Sequence, residues 1–120
     1  MSSETMLVKL YESFNNRDID AALTAMHPSI VWANGLDGGY VYGHAGVRSY
    51  WVRQWTMVDS RAEPLEISIG ETGRARVDVH VTARTLSGDV LFDTRAVHLF
   101  EIEDGLIHRF NIQMNSGNDP

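Results

Sequence analysis

The sequence contains no cysteine. That excludes disulfides, thiol nucleophiles and zinc sites built on thiolates. It also lacks any block of like charge. The net charge is −6, and Arg74, Arg76 and Arg84 are spread through an otherwise mixed segment. There is no basic footprint for nucleic acid, and an anionic membrane surface is an unfavourable partner. No apolar run approaches the length that spans a bilayer. The start, Met1-Ser2-Ser3-Glu4-Thr5, lacks the basic residues and apolar run of a secretion signal. The expectation is a cytoplasmic protein with neither nucleic acid nor membrane as a partner.

What is present has the balance of a folded domain. Hydrophobic residues make up 43% and charged residues 22%, so the chain can bury a core and is not disordered by composition. Its length suits one domain over residues 1–120. Only the tail, Ser116 to Pro120, reads as frayed.

Ser3 to Asn16 carries Leu7, Leu10, Tyr11 and Phe14 at helical spacing, with Ser3 as a candidate cap. Asp18 caps a second helix with Ile19, Leu23 and Met26 on one side, and His27-Pro28 ends it. Ile30 to Asn34 and Tyr40-Val41-Tyr42 read as short strands around a glycine-rich loop. A third helix starts near Gly43, runs to about Val58 and presents Val47, Tyr50, Trp51 and Trp55. The remainder alternates as strands: Leu65 to Ile69, Ala75 to Ala83, Val90 to Ile102 and Leu106 to Asn115.

The turns set the late registers. A two-residue Ser87-Gly88 turn places Ala83 opposite Phe92, Val79 opposite Ala96 and Val77 opposite His98. A three-residue loop, Glu103-Asp104-Gly105, places Phe100 opposite His108 and His98 opposite Phe110. Opposed residues share a face. One face therefore carries Val77, Val79, Val81, Ala83, Phe92, Thr94, Ala96, His98, Phe100, Ile102, His108, Phe110, Ile112 and Met114. It is overwhelmingly apolar and must face the helices. The other face mixes charges with Leu91, Val97 and Leu99, and is either an ordinary solvated face or a surface for a homodimer.

Three stretches, YESFNNRDIDAA from Tyr11, GHAGVRSYW from Gly43 and HLFEIEDGLI from His98, resemble the nuclear transport factor 2-like superfamily. The SnoaL-like polyketide cyclase branch, related to ketosteroid isomerase, is the most similar. The resemblance implies an α+β, cystatin-like cone: three N-terminal helices packed on a strongly curved antiparallel sheet that encloses a pocket. Against ketosteroid isomerase, the catalytic aspartate's position falls on Asn34 and that of the oxyanion-hole acid on His98. The tyrosine of the first helix falls near Leu10 or Tyr11. Asn34 is not a base, so standard ketosteroid isomerase chemistry is disfavoured. Against limonene epoxide hydrolase, Asn34 matches a water-positioning residue, but Trp32 replaces a tyrosine and Ile112 replaces the aspartate base.

His98, Asn34 and Tyr11 are thus the candidate catalytic residues. His98 would act as a general acid/base near neutral pH, and Asn34 would hydrogen-bond a carbonyl or a water. Their alternatives are a satisfied core histidine and a turn residue. Trp32, Trp51, Tyr40, Phe110, Ile112 and Met114 are the candidate lining of a pocket for a small apolar molecule. No cofactor and no metal is expected; His108 beside His98 has no carboxylate at ligand spacing. Three functions remain open: a cofactor-free isomerase, cyclase, dehydratase or hydrolase; a small-molecule binding protein without turnover; and an oligomeric assembly module.

Overall fold

The structure is a computed structural model and describes residues 2–113. Met114, assigned above to the pocket, and the tail expected to fray lie outside the described residues. The elements run α1 (Ser3–Asn15), α2 (Ile19–Leu23), β1 (Met26–Ala33), β2 (Tyr40–Tyr42), α3 (Gly43–Met57), β3 (Asp59–Ile69), β4 (Arg74–Arg84), β5 (Val90–Glu103) and β6 (Leu106–Gln113). The strands form one six-stranded sheet in the order β2-β1-β6-β5-β4-β3.

Two expectations about this architecture change. Only α1 and α2 precede the sheet; α3 follows the first two strands. The sheet is mixed, because β1 and β6 pair in parallel while the other neighbours are antiparallel. Parallel neighbours need a long crossover, and the intervening elements from β2 to β5 supply it.

The cap of α1 is Ser2, not Ser3: its hydroxyl accepts from the Thr5 N–H at 3.1 Å. This satisfies one of the amides that the first turn leaves open. The expected stripe is buried at Leu7, Leu10 and Tyr11. Arg17, with φ of 61°, turns the chain out of the helix. Asp18 then caps α2 as expected, accepting from the Ala21 N–H at 3.2 Å.

α2 ends at Leu23, earlier than its apolar spacing suggests. The Ala25 carbonyl accepts from Ile107 N–H at 2.8 Å, and Met26 lies opposite Ile107. The strand partner thus outcompetes a further helical turn. The β1–β6 register shifts between Met26 and Val31, and Pro28 sits inside that irregular stretch, where its missing N–H costs no ladder bond.

The β4–β5 register is the one the sequence suggests: Ala83 faces Phe92, Val79 faces Ala96 and Val77 faces His98. The turn differs. Thr85 and Asp89 close it through a 2.7 Å bond, and a shift between Ala83 and Arg84 restores the alignment. The β5–β6 turn also differs. Asp104 and Gly105 have φ of 54° and 78°, a two-residue type I′ turn that pairs Glu103 with Leu106. A shift between Glu101 and Ile102 then places Phe100 opposite Phe110 and His98 opposite Ile112. The displacement from the expected register is two residues. An even displacement preserves the face, so His98, Phe100, Phe110 and Ile112 still point the same way.

The helices cover this face, α1 against β3 and α3 against β1. Trp51, Phe100, Leu7, Met26, Ile30, Ile107, Val47, Val77 and Val79 are fully buried. The β4–β5 hairpin extends beyond that cover. Phe92, expected inside, is 48% exposed, and Leu86, Val90 and Leu91 are exposed around it. On the outer face Val97 is buried and Leu99 half-buried. Leu65 is exposed, at the point where the β3–β4 register shifts between Pro64 and Glu66.

Edge strand β3 is covered by a side chain. Asn15 Nδ2 donates to the Ala62 carbonyl at 2.9 Å, and the Ala62 N–H donates to Asn15 Oδ1 at 3.0 Å. The amide imitates a neighbouring strand and occupies part of an edge that could otherwise pair with another chain. Asn15→Ala removes both bonds and should destabilise the domain by about 2 kcal/mol. The measurement is a urea midpoint, lowered with unchanged slope; a midpoint equal to that of the parent protein would show that the pairing carries no net stability.

Candidate active site

Tyr11 in α1 and His98 in β5 meet through a hydrogen bond of 2.7 Å between Tyr11 Oη and His98 Nδ1. Register and helical spacing bring them together: His98 is on the inner face of β5, and Tyr11 is on the buried stripe of α1. Their rings lie nearly parallel, 13° apart with centroids at 5.9 Å. Phe110 meets His98 edge-on at 4.8 Å, and Phe100 meets Tyr11 edge-on at 6.2 Å. Trp32 stacks on Phe110 at 4.0 Å, and Trp51 packs edge-on against Trp32 at 5.4 Å.

An apolar surround disfavours charge on either partner. Burial pushes His98 down to about 4 and Tyr11 well above the usual phenol range. The pair is neutral at physiological pH. Its hydrogen-bond inventory then selects a tautomer. Among the described residues the Tyr11 hydroxyl has one partner, His98 Nδ1. If Nδ1 carried the proton, the Tyr11 O–H would have no acceptor. The satisfied arrangement has Tyr11 donating to Nδ1, which places the imidazole proton on Nε2. Nε2 has no hydrogen-bond partner among the described residues, and His98 keeps 9% of its surface accessible. The site therefore offers a neutral N–H donor at the end of an aromatic enclosure.

The remaining candidates divide. Phe110 packs on His98 and Trp32 on Phe110, Trp51 lies against Trp32, and Ile112 is opposite His98 in the sheet. Asn34 builds the loop after β1: its Oδ1 accepts from Leu36 N–H at 3.0 Å and Asp37 N–H at 2.9 Å. Tyr40 is 40% exposed on the opposite face. Its hydroxyl donates to Asn111 and its ring lies under Arg109. The cause is strand alternation, since Val41 faces Trp32 across the β1–β2 pair and turns both flanking tyrosines outward. His108 does not join His98. It stacks on His27 at 4.2 Å, with Nε2 3.7 Å from Glu103. No three metal-ligating side chains converge among the described residues.

A cavity of about 520 Å³ lies outside the aromatic enclosure, between α1, α2 and the β5–β6 turn. Met6, Lys9, Leu10, Asp18, Ala25 and Gly105 are among the residues that line it, and among the described residues neither His98 nor any expected pocket residue does. Around His98 the aromatic side chains pack on one another. The loop from Asn34 to Gly39 closes over Ile112, with Leu36 against the core. Tyr50, not among the expected pocket aromatics, holds this loop: it accepts the Gly35 N–H at 2.9 Å. Its place beside Trp51 on the buried face of α3 was the available signal.

The family model for the SnoaL-like domain matches residues 7–110. The chain belongs to the SnoaL-like domain family. Among solved structures it is similar to TerC, crystallised with polyporic acid, at 26% identity over 95% of this chain and 92% of that chain, with a TM-score of 0.82. It is similar to a candidate polyketide cyclase from Sinorhizobium meliloti, 24% identical over 91% of this chain and 94% of that one, with a TM-score of 0.79. A nuclear transport factor 2-like protein from Burkholderia pseudomallei is 25% identical over 98% and 94% of the respective chains, with a TM-score of 0.83. No curated protein matches the sequence.

The lowered histidine pKa has a stability consequence. Below the ordinary value of 6.5 the unfolded chain takes up a proton at His98 that the folded chain refuses until about 4. This contribution is fully present above 6.5 and is lost as the pH falls through that window, by about 3 kcal/mol in all. His98→Gln should remove the loss. Urea midpoints for the two proteins at pH 7.5 and pH 4.5 check it: parallel declines would show that His98 does not titrate in this range.

Proposed function

We propose that this SnoaL-like protein acts without a cofactor on a small, flat, apolar molecule bearing oxygen, and that His98, oriented by Tyr11, is the group that acts on the oxygen. The observation that carries this reading is the unspent Nε2–H at the end of the aromatic enclosure. The family supports the ligand class, as does the crystallisation of TerC with polyporic acid.

The acid/base role narrows to that of a donor. Giving up the Nε2 proton would leave an imidazolate, and accepting one at Nε2 requires the tautomer that strands the Tyr11 O–H. A hydrogen bond avoids both. It stabilises a carbonyl oxygen as charge builds on it during enolisation, and in an apolar site such a bond is stronger than in water. This suits isomerase or cyclase chemistry in which the proton leaves carbon to water or to a substrate group. A ligand approaching from the side of the Asn34–Gly39 loop would break the Gly35–Tyr50 bond and the Asp37–Arg53 ion pair.

The second reading is binding without turnover. It is favoured by the absence of any carboxylate bonded to the pair among the described residues. Titration with polyporic acid, followed by Trp32 and Trp51 fluorescence, tests what both readings share. His98→Leu should weaken binding roughly tenfold, and His98→Gln, which keeps a donor, only about threefold. Equal affinity for His98→Leu and the parent would remove His98 from the site. Deuterium exchange into a bound aryl ketone separates the readings: His98-dependent acceleration marks an enzyme, and tight binding without acceleration marks a binding protein.

A further inference from the structure

The sequence holds a single Asn-Gly pair, Asn34-Gly35, in the loop that closes over Ile112. An asparagine before glycine is open to attack by its own backbone. The Gly35 nitrogen can close a cyclic imide on the carbonyl carbon of the Asn34 side chain, and glycine has no β-carbon to obstruct the approach. Two features of the loop act on this reaction in opposite directions.

The first favours it. Asn34 Oδ1 accepts from Leu36 N–H at 3.0 Å and from Asp37 N–H at 2.9 Å. The reversed amide would set its NH2 group against those same donors, so the orientation is fixed. Attack moves negative charge onto this oxygen, where two backbone donors already aim at it. Asn34 is half-buried and Gly35 exposed, so water reaches the bond. The second feature restrains it. The Gly35 N–H donates to Tyr50 Oη at 2.9 Å. Burial pushes the Tyr50 phenol up, so its oxygen is a neutral acceptor that holds the N–H without taking its proton. The ion pair of Asp37 with Arg53 pins the same loop further on.

We infer that Asn34 is a self-modification site and that Tyr50 is the latch that sets its rate. With the Gly35–Tyr50 bond open, the Gly35 nitrogen bonds to Asn34 Cγ. Its proton passes through water to the departing amine, and the Cγ–Nδ2 bond breaks. Water then opens the imide. Opening at the former side-chain carbonyl gives aspartate, and opening at the backbone carbonyl gives isoaspartate. An amide and a water are consumed, a carboxylate and an ammonium ion are formed, and nothing is oxidised or reduced. Aspartate keeps both loop bonds, and a charged acceptor strengthens them. Isoaspartate routes the backbone through the former side chain and gives those bonds up, so it opens the loop.

The test holds the parent protein, Tyr50→Phe and Gly35→Ala in native buffer at mildly alkaline pH. Peptide mass spectrometry follows the exchange of NH2 for OH at position 34. The parent should convert more slowly than the same chain unfolded in urea. Tyr50→Phe should convert roughly tenfold faster than the parent, the effect of one lost hydrogen bond. Gly35→Ala should convert more slowly than the parent; a β-carbon there makes only ordinary contacts, with Ile112 and Tyr50 at 3.4 Å, so the loop is kept. Asp104-Gly105, in the β5–β6 turn, forms isoaspartate through the same ring chemistry and is the internal control. Its rate should not move in Tyr50→Phe. A parallel rise there would mean general loosening of the fold and would overturn the latch, as would equal rates at Asn34 in the parent and Tyr50→Phe. No conversion in either folded protein would overturn the modification site itself.

Discussion

The bond between Tyr11 and His98 ties the helical layer to the sheet through two side chains that can each ionise in water and do not ionise here. Tyr11 comes from the first helix and His98 from the fifth strand. Phe100, Phe110, Trp32 and Trp51 are packed around them. An isolated polar group in such a place would be destabilising. As a pair, each satisfies the other, and the cost falls only on the second ring nitrogen. That nitrogen is the one group of the pair left to face a ligand. The aromatic packing, the neutrality of the histidine and the direction of its free N–H are therefore consequences of a single arrangement, and a change to either partner should alter all of them together.

Much of this arrangement was legible in the sequence, for identifiable reasons. Alternation along β4 and β5 is nearly uninterrupted, so the position of His98 opposite Val77 follows from the turn between them. The β5–β6 turn is one residue shorter than its sequence suggests, and the shift near Glu101 leaves no mark in the alternation. Their combined effect is an even displacement. His98, Phe100, Phe110 and Ile112 stay on the inner face while individual partners change, with Ile112 rather than Phe110 opposite His98. His108 paid for the difference: it leaves the inner row and stacks on His27.

Other features needed three dimensions. Tyr40 looked like a pocket aromatic because it is aromatic, but strand alternation around Val41 turns it outward. Asn34 occupies an informative position in the family pattern, yet its carbonyl oxygen is spent on two loop amides. Tyr50 holds the loop after β1 through its bond to the Gly35 N–H, a contact between a helix and a loop that only the fold shows. Helix α2 ended early because its last turn competes with a strand pairing that involves residues more than eighty positions away.

The account stands on a neutral His98 with its proton on Nε2. Nitrogen-15 NMR of the imidazole at neutral pH measures this directly. The account predicts a pyridine-type Nδ1, accepting from Tyr11, and a pyrrole-type Nε2, both unchanged until the pH approaches about 4. An imidazolium at neutral pH, or the reverse tautomer with the proton on Nδ1, would contradict it.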